Sequence, residues 1–423
     1  METVLLPSEV EFYIDTMAPT ELERLGSKQW LEWHQRLQKL NQEAVLEASA
    51  VKEEFVKETL VSFNKTPVLV HEAILINIWK NKLLPVLLRF CPNPENTFVA
   101  YSILFHEATS VALLELVLYH PSSSESLGDY AADLLSYAYD AVAQLLVTKH
   151  SDVEVGEKSR TEILRQKDDL SFEIGIRCLT IIRYIAENVE RLSYSIIDRI
   201  LNIHDVPVLL IEILGHKPWI QDDKLYKGSR WIKWDGEALP QCEAQVWLAL
   251  YQILMIPSCG KYYEITDSRR SQLMKLLPLM SPILLDQLSP LCELKYWLCQ
   301  LSVSNQPTVT PKPILLEIVL EIKNAILAQG EGKWKKIARE QLPLIFGRDK
   351  QELMEIAQGL CAAYNTDLIE RFECKEEKQC GTCGKVAIQR CSRCKNQWYC
   401  SRNCQVTDWE SHKVNCIEPN TVS

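Results

Sequence analysis

The residues best suited to chemistry lie near the carboxyl end of the sequence, where cysteines and one histidine recur at short intervals. Seven thiols and one imidazole occur between residues 380 and 416, enough donors for two four-ligand metal sites. They are Cys380, Cys383, Cys391, Cys394, Cys400, Cys404, His412 and Cys416. Soft sulfur donors combined with imidazole select zinc over oxygen-preferring cations. Because neither set leaves a position for water, we expect two structural zinc ions rather than a catalytic one.

The length of this segment makes a metal the natural source of its stability. The pattern Cys-x2-Cys-x7-Cys-x2-Cys-x5-Cys-x3-Cys-x7-His-x3-Cys covers 37 residues. Chains shorter than about 40 residues rarely fold without a metal, disulfides or a partner. Structural zinc sites supply roughly 10–16 kcal/mol of apparent binding free energy at neutral pH, and that energy becomes folding energy. We therefore expect zinc binding to fold the segment.

Residues between the ligands make the segment resemble the MYND zinc finger. Trp398 and Tyr399 precede the fifth ligand, and Gln405 and Trp409 precede the histidine. The resemblance implies an interleaved pairing, with one zinc ion on Cys380, Cys383, Cys400 and Cys404 and the other on Cys391, Cys394, His412 and Cys416. It also implies a protein-binding module that takes up an extended, often proline-rich peptide, with Gln405 and Trp409 at the groove. Packing of Trp409 within the small domain is the alternative.

The charge and hydropathy of the 423-residue chain exclude several classes of protein. It has 46 Lys and Arg against 56 Asp and Glu, a formal net charge of −10, so it lacks the basic surface that nucleic-acid binding demands. We expect no secretory signal, because no basic segment followed by an apolar one opens the sequence. No apolar run approaches the roughly 18–20 residues needed to span a bilayer. We therefore expect a protein of the cytosol or nucleus without a membrane span.

Periodic apolar residues predict that the rest of the chain is all-α. The 14 glycines are about half the usual share and leave little material for tight β-turns. One helical face is formed by Ile174, Cys178, Ile181, Ile182, Ile185 and Val189. Polar residues near a proline predict helix starts at Thr66, Asp205, Ser281 and Ser289. Helix pairs without intervening strands indicate an irregular armadillo- or HEAT-like array, with a less regular bundle as the alternative.

Two local patterns refine this prediction. Thr20 and Glu23 have the spacing of a capping box, which predicts that a long helix begins at Thr20. Residues 192–214 predict two helices joined by a bend at 202–205.

The predicted domains are a helical body at 1–372, a charged linker at 373–379, the finger at 380–416 and a tail at 417–423. Residues 217–241 interrupt the body with several tryptophans among charged and glycine residues. The alternation at 230–234 predicts a β-hairpin or an ordered loop laid on the helices. Its aromatic side chains either pack the insertion onto the array or form a partner-binding patch.

The sequence shows no motif of a known catalytic site, and we expect that the protein is not an enzyme. His71-Glu72 and His106-Glu107 lack the second histidine of a metalloprotease helix. Phosphate-binding loops, dinucleotide fingerprints and the cofactor site of SET-type methyltransferases are also missing. Cys374 lies beside an already complete ligand pattern. The other cysteines are expected to be small buried residues; they are Cys91, Cys178, Cys242, Cys259, Cys292, Cys299 and Cys361.

The whole chain also resembles the MYND-containing factors for preassembly of axonemal dynein arms. The resemblance rests on the helix pair at 193–214 with its bend Asn202-Ile203-His204-Asp205-Val206-Pro207, on Trp231-Ile232-Lys233-Trp234 and on the terminal finger. It implies a non-catalytic cytoplasmic adaptor that works with other dynein assembly factors, chaperones and co-chaperones, with dynein chains as clients. The alternative is a nuclear corepressor-type scaffold that binds proline-rich peptides, although the sequence has no Lys/Arg-rich import cluster.

Overall fold

The computed structural model describes two compact units, residues Met1–Tyr364 and Asn365–Ser423. The described residues are 4–50, 53–147, 159–234, 236, 239–303, 319–363, and 380–416 other than 384, 386, 388, 392, 393, 395 and 396. The predicted linker at 373–379 and tail at 417–423 lie outside these residues. The domain bounds inferred from the sequence therefore stay predictions.

The first unit is built almost entirely of helices, as the sequence predicts. Its helices are α1 (Pro7–Asp15), α2 (Lys28–Ser49), α3 (Phe55–Ser62), α4 (Thr66–Ile78), α5 (Leu84–Phe90), α6 (Phe98–Val117), α7 (Pro121–Glu125), α8 (Ala131–Leu145), α9 (Ser159–Glu187), α10 (Tyr194–Asp198), α11 (Val206–His216), α12 (Gln241–Met255), α13 (Pro257–Gly260), α14 (Asp267–Met274), α15 (Pro282–Gln287), α16 (Leu291–Val303), α17 (Glu321–Gly330), α18 (Trp334–Phe346) and α19 (Lys350–Ala363). The prediction of an all-α irregular array is confirmed.

Helices begin at Thr66 and directly after Asp205 and Ser281, as predicted, but among these three only Ser281 caps its helix through its side chain. The start predicted at Thr20 is not found. Thr66 begins α4, and the Ser281 hydroxyl caps α15 by accepting from the N–H of Leu284. The long amino-terminal helix α2 begins only at Lys28, capped by Ser27. The capping box predicted at Thr20 is wrong, because a tertiary contact takes its hydroxyl: Thr20 Oγ1 donates to a carboxylate oxygen of Glu72 at 2.8 Å.

Helix α6 forms the centre of the core, where it contacts α2, α4 and α9. Apolar and small side chains cover most of its circumference, so nearly every face is buried. By length and hydropathy α6 could cross a membrane, which the sequence reading did not anticipate, but 72% of that window is buried inside the unit. A core helix meets the same criterion, so the burial of α6 explains its composition without a bilayer.

The buried ionisable residues of α6, His106 and Glu107, are paired with side chains from neighbouring elements, whereas its buried hydroxyls donate to main-chain carbonyls of α6 itself. His106 Nε2 lies 3.1 Å from Glu72 of α4, and its Nδ1 lies 2.9 Å from Nδ1 of His34 on α2. Burial, together with the neighbouring His106, lowers the pKa of His34 well below 6.5. Burial alone would raise the pKa of Glu72, but hydrogen bonds from His106 and His71 outweigh it and hold that pKa at about 2.

The adjacent Glu107 has a second set of partners. The ammonium of Lys80 lies 2.6 Å from one carboxylate oxygen, and the hydroxyl of Tyr137 donates to the other at 2.8 Å. Lys80 belongs to a short π-helical segment, Trp79–Leu83, between α4 and α5. A π-helical turn alters the direction of its side chains and is often found where a specific contact is needed.

The carboxyl-terminal helices return to the amino-terminal ones. Helix α17 contacts α4, α18 contacts α5, and α19 contacts α2. Gln341 of α18 accepts from the indole N–H of Trp79 at 3.0 Å and donates to the carbonyl of Leu22 at 2.7 Å. In an open solenoid each repeat contacts only its sequence neighbours, so these long-range contacts account for the irregularity of the array.

The predicted bend at 202–205 begins within a π-helical segment, Arg199–Ile203, and ends at Asp205, which has the left-handed conformation. Asp205 has φ of 47°, which is uncommon for a residue other than glycine. Its carboxylate accepts from the hydroxyl of Tyr263 at 2.8 Å and from Nε of Arg269 at 2.7 Å. These two contacts compensate for the backbone strain at the turn into α11.

The insertion at 217–241 contains a three-stranded antiparallel sheet of β1 (Ile220–Gln221), β2 (Lys224–Lys227) and β3 (Arg230–Lys233). Tyr226 and Trp231 lie opposite each other and both contact Phe172 of α9, with ring centroids 4.9 and 5.7 Å away. Trp219 is completely buried. The predicted hairpin is present, and these aromatic side chains pack the sheet onto the helices.

The buried carboxyl of Glu47 on α2 makes the free energy of unfolding depend on pH. Burial raises the pKa of Glu47 from 4.5 to about 7, against a hydrogen bond from the N–H of Val56, and Glu43 and Glu54 raise it further. The neutral form therefore contributes stability that is complete below about pH 4.5 and is lost as the pH rises through about 7. We expect Glu47→Gln to raise the free energy of unfolding by about 1 kcal/mol at about pH 8, with no gain at about pH 5.

Urea unfolding followed by circular dichroism at both pH values measures this difference. The matched control is Glu53→Gln, which changes the same charge at an exposed position. A stability difference for Glu47→Gln that is equal at the two pH values would contradict the assignment.

Candidate metal centre

A short hairpin and one helix position the ligands in the second unit. Strand β4 (Gln389–Arg390) pairs antiparallel with β5 (Trp398–Tyr399), and α20 (Arg402–Asn415) follows directly. Ser401 caps α20, its hydroxyl oxygen accepting from the N–H of Cys404 at 3.3 Å. Cys400 lies between the strand and this cap. The strand-to-helix turn thus brings Cys400 and Cys404 to the same side.

The first ligand set consists of Cys380, Cys383, Cys400 and Cys404. Their sulfur atoms all lie within 4.8 Å of one another. Cys383 and Cys400 are 3.4 Å apart, Cys400 and Cys404 are 3.5 Å apart, and Cys404 and Cys383 are 3.8 Å apart. Tetrahedral zinc with Zn–S bonds of about 2.3 Å requires S···S separations of about 3.8 Å. The four thiols fit one zinc ion.

The second set consists of Cys391, Cys394, His412 and Cys416. The sulfurs of Cys391 and Cys416 are 3.8 Å apart, and Nε2 of His412 lies 3.3 Å from the sulfur of Cys394. All three cysteines of this set are buried. The donor types and separations again match tetrahedral zinc. The prediction of two structural zinc ions is confirmed, with the interleaved grouping that the MYND resemblance implies.

The protonation of the first set shows why it requires a cation. Hydrogen bonds from Cys383 and Cys404 raise the pKa of the Cys400 thiol to about 12. Burial opposes ionisation of Cys380, but hydrogen bonds from the main-chain N–H groups of Cys400, Thr382 and Cys383 outweigh it and lower that pKa to about 6. The pKa shifts of Cys380 and Cys400 thus have opposite directions. A bound zinc ion would supply the positive charge that lets all four bind as thiolates.

Two hydrogen bonds that the sequence did not reveal hold the ligand-bearing elements together. The hydroxyl of Tyr399, a completely buried residue, donates to Asp408 of α20 at 2.7 Å. The hydroxyl of Thr382 donates to the carbonyl of Cys404 at 2.9 Å. The first joins residues 9 positions apart and the second residues 22 positions apart, so neither follows from the spacing of a helix or a strand. The cap is different, because a serine three residues before Cys404 at a helix start is a recognisable pattern.

The predicted peptide-binding residues both lie on α20. Gln405 is half-buried, whereas Trp409 is 38% exposed and its neighbour one turn back, Val406, is 66% exposed. The ring of Trp409 also lies 6.0 Å from that of His412, edge to face. Trp409 thus contacts the finger with one edge and leaves part of its surface accessible. Its role in binding a peptide stays a prediction.

The cysteines outside the two sets do not all match the expectation of burial. Cys178 is buried, and Cys91 and Cys242 are partly buried. Cys292 and Cys299 are exposed, because they lie on the outer side of α16, away from its buried leucines. The expectation of burial is wrong for these two. The side chains of Cys259, Cys361 and Cys374 lie outside the described residues.

The two sites predict a metal content of two zinc ions per chain. We expect a strong chelator to remove both ions and to unfold the finger, while helical circular dichroism changes little because the first unit has its own apolar core. Metal analysis and circular dichroism of the same samples measure the two effects.

A double substitution of the exposed thiols, Cys292→Ser with Cys299→Ser, is the control and should retain both ions. Loss of zinc from this control, or a content near one zinc ion per chain in fully loaded protein, would contradict the assignment.

Comparisons with known proteins agree with this geometry. The MYND finger family matches residues 380–416, the segment that contains both ligand sets. Two short similarities cover small parts of otherwise different proteins. Ubiquitin carboxyl-terminal hydrolase 19 of Arabidopsis thaliana is 36% identical over 16% of this chain and 10% of its own length. Deformed epidermal autoregulatory factor 1 of Drosophila melanogaster is 44% identical over 11% of this chain and 8% of its own.

A further similarity extends over nearly the full length of the chain. The zinc finger MYND domain-containing protein 10 homolog of Drosophila melanogaster is 37% identical to this chain, covering 97% of it and 98% of the relative. No solved structure matches. A similarity that includes the helical unit as well as the metal centre cannot come from the finger alone, so the chain belongs to the family of zinc finger MYND domain-containing protein 10.

Proposed function

We propose that the protein is a non-catalytic cytoplasmic adaptor in the preassembly of axonemal dynein arms. It recognises partner proteins through the MYND finger and through the surface of the helical unit. Its partners are other dynein assembly factors, chaperones and co-chaperones, and dynein chains are its clients. The dynein role rests on the resemblance of the whole chain to such factors.

The adaptor role is supported by two features that occur together. The metal sites have no open coordination position, and an accessible face of α20 lies beside them. Each ligand set offers four donors, so a tetrahedral ion has no position left for substrate or water. Val406 and Trp409, one turn apart on α20, leave apolar surface exposed next to these sites. Exposed tryptophans are common anchors of protein interfaces. The site therefore favours binding over chemistry.

An extended peptide could be held there by main-chain and side-chain contacts together. Strand β5 leads through Ser401 into α20, so a chain lying along β5 would pass the half-buried amide of Gln405 and the exposed part of Trp409. Main-chain pairing supplies affinity in such complexes, and pockets for alternate side chains supply specificity. This arrangement is the one that the resemblance to MYND fingers implies for Gln405 and Trp409.

A nuclear corepressor-type scaffold that binds proline-rich peptides is the competing function. It would use the same finger surface, so peptide binding alone does not separate the two. Localisation does: an assembly adaptor is expected in the cytoplasm of multiciliated cells, and a corepressor in the nucleus. A predominantly nuclear endogenous protein would contradict the proposal.

The finger surface predicts the behaviour of Trp409→Ala. Truncation of a buried tryptophan anchor commonly costs about 2 kcal/mol or more, which corresponds to roughly thirtyfold weaker binding. We expect Trp409→Ala to weaken partner capture by about this factor while both zinc ions remain. Affinity capture from multiciliated cells, with metal analysis of the same protein, measures both quantities.

Two further variants complete the design. Glu410→Ala changes the exposed residue next to Trp409 on α20. This variant should retain its zinc ions and its partner proteins. Cys400→Ser removes a ligand and should lose both. If Trp409→Ala retained every partner, Trp409 would be a packing residue and partner binding would belong to the helical unit.

A further inference from the structure

The three-stranded sheet on the helical unit carries an unusual arrangement of charge. Lys224 lies directly opposite Lys233, and Lys227 lies directly opposite Arg230. All four residues are exposed. Like charges directly opposite each other on neighbouring strands are destabilising. This concentration of cations stands out in a chain whose net charge is −10.

Cations elsewhere on the helical unit are commonly paired with carboxylates. Arg177 lies 2.8 Å from Glu115, Arg269 lies 2.7 Å from Asp205 and Lys275 lies 2.8 Å from Glu212; these pairs illustrate the rule. In contrast, no carboxylate of a described residue lies within ion-pair distance of Lys224, Arg230 or Lys233. The sheet therefore combines cross-strand repulsion with three cations, Lys224, Arg230 and Lys233, that lack a counter-charge in the described part of the chain.

The sheet is nevertheless held rigidly on the helices. Tyr226 and Trp231 contact Phe172, and the hydroxyl of Ser229 donates to Glu173 at 2.9 Å. Gly228 and Ser229 both have φ of 56°, the left-handed conformation that a tight type I′ hairpin requires. These contacts hold the turn between β2 and β3 against α9. The cations of β2 and β3 therefore lie on a sheet whose position on the helices is fixed.

Strand β3 is an edge of this sheet in the described structure, because the strand order is β1, β2, β3. Hydrogen bonding alternates along antiparallel strands, and the N–H of Trp234 donates to Asp223 on the β2 side. The main-chain N–H and carbonyl of Lys233 therefore point away from β2, towards the outer edge. An extended chain could add to that edge as a further strand.

We propose that the edge of β3 is a docking site for an extended acidic segment of a partner protein, which binds by strand addition. A residue opposite Arg230 and a residue opposite Lys233 would lie about 10 Å apart along the added strand and on its two opposite faces. Acidic side chains at those two positions form opposite-charge cross-strand pairs. The preferred segment thus has two acidic residues separated by two others.

The residues between these acids have their own partners. Trp231 and Ile232 are half-buried, and an added strand would place its two middle residues opposite them. Aromatic and β-branched side chains form favourable cross-strand pairs, so valine, isoleucine or threonine fits the middle positions. The inference depends only on the charges, strand order and packing of the sheet, so it does not rest on a role in dynein-arm assembly.

The test uses the full chain and a fluorescent peptide of about eight residues with Glu-Val-Val-Glu at its centre. Fluorescence anisotropy measures its affinity, with Gln-Val-Val-Gln as the matched neutral peptide. Loss of two exposed ion pairs predicts about twofold to thirtyfold weaker binding of the neutral peptide. A version N-methylated at both valines should also bind more weakly, because it cannot make the main-chain hydrogen bonds of a strand.

Charge reversal makes the test independent of protein stability. The double variant Arg230→Glu with Lys233→Glu should lose the Glu-Val-Val-Glu peptide and gain binding to Lys-Val-Val-Lys. The control double variant, Lys333→Glu with Lys335→Glu, reverses the same number of exposed charges at the start of α18 and should bind as the native protein does. Rescue by the complementary peptide would show that the variant is folded.

Several results would overturn the proposal. Equal binding of the N-methylated peptide would show attraction to charge without strand addition. Binding to vesicles rich in anionic lipid, but not to the peptide, would assign the cations to a membrane surface. Concentration-dependent self-association that disappears in the charge-reversed variant would make a second copy of this chain the occupant. In the last case, the native protein binds none of the peptides while the double variant Arg230→Gln with Lys233→Gln aggregates. That result would show that the cations only prevent edge-to-edge pairing of the sheet.

Discussion

The enclosure of α6 on nearly all sides is the constraint on which the helical unit depends. A helix in that position can carry ionisable residues only if neighbouring elements satisfy them, since an unpaired buried charge costs several kcal/mol. His106 and Glu107 meet this requirement through Glu72, His34, Lys80 and Tyr137. These partners come from helices on different sides of α6. Their directional contacts therefore fix how α2, α4 and α8 are placed around an otherwise apolar helix.

The finger is stabilised by a different interaction. Its compact core consists largely of ligand cysteines and Tyr399, which is too little apolar surface to hold a short chain together. Metal ions would replace that core, and each of the interleaved ligand sets includes at least one residue of α20. Because all donor positions are occupied by the protein, the same closure that stabilises the finger removes the possibility of chemistry at zinc. The outer surface of α20 is the binding surface proposed for the finger.

The candidate binding surfaces share one physical feature. In each of them a rigid element carries exposed side chains that are not part of the buried core. Trp409 is held by a zinc-bound finger, and the cations of β2 and β3 are held by a sheet pinned to α9. Preorganised surfaces lose little conformational entropy on binding. The proposed adaptor would bind one partner at each of these surfaces. The two proposed surfaces use different forces, apolar burial at the finger and charge at the sheet.

The sequence by itself determined the features that depend on residues close together. Ligand types and spacing identified two zinc sites, apolar periodicity identified the helices, and alternation at 230–234 identified the hairpin. Only the tertiary structure decided the contacts between distant segments: Thr20 bonds to Glu72 instead of capping a helix, Gln341 joins Trp79 to Leu22, and Cys292 faces outward. A local pattern reports which conformation a segment prefers. It does not report which distant side chain will compete for the same hydrogen bond, because that depends on how the helices pack.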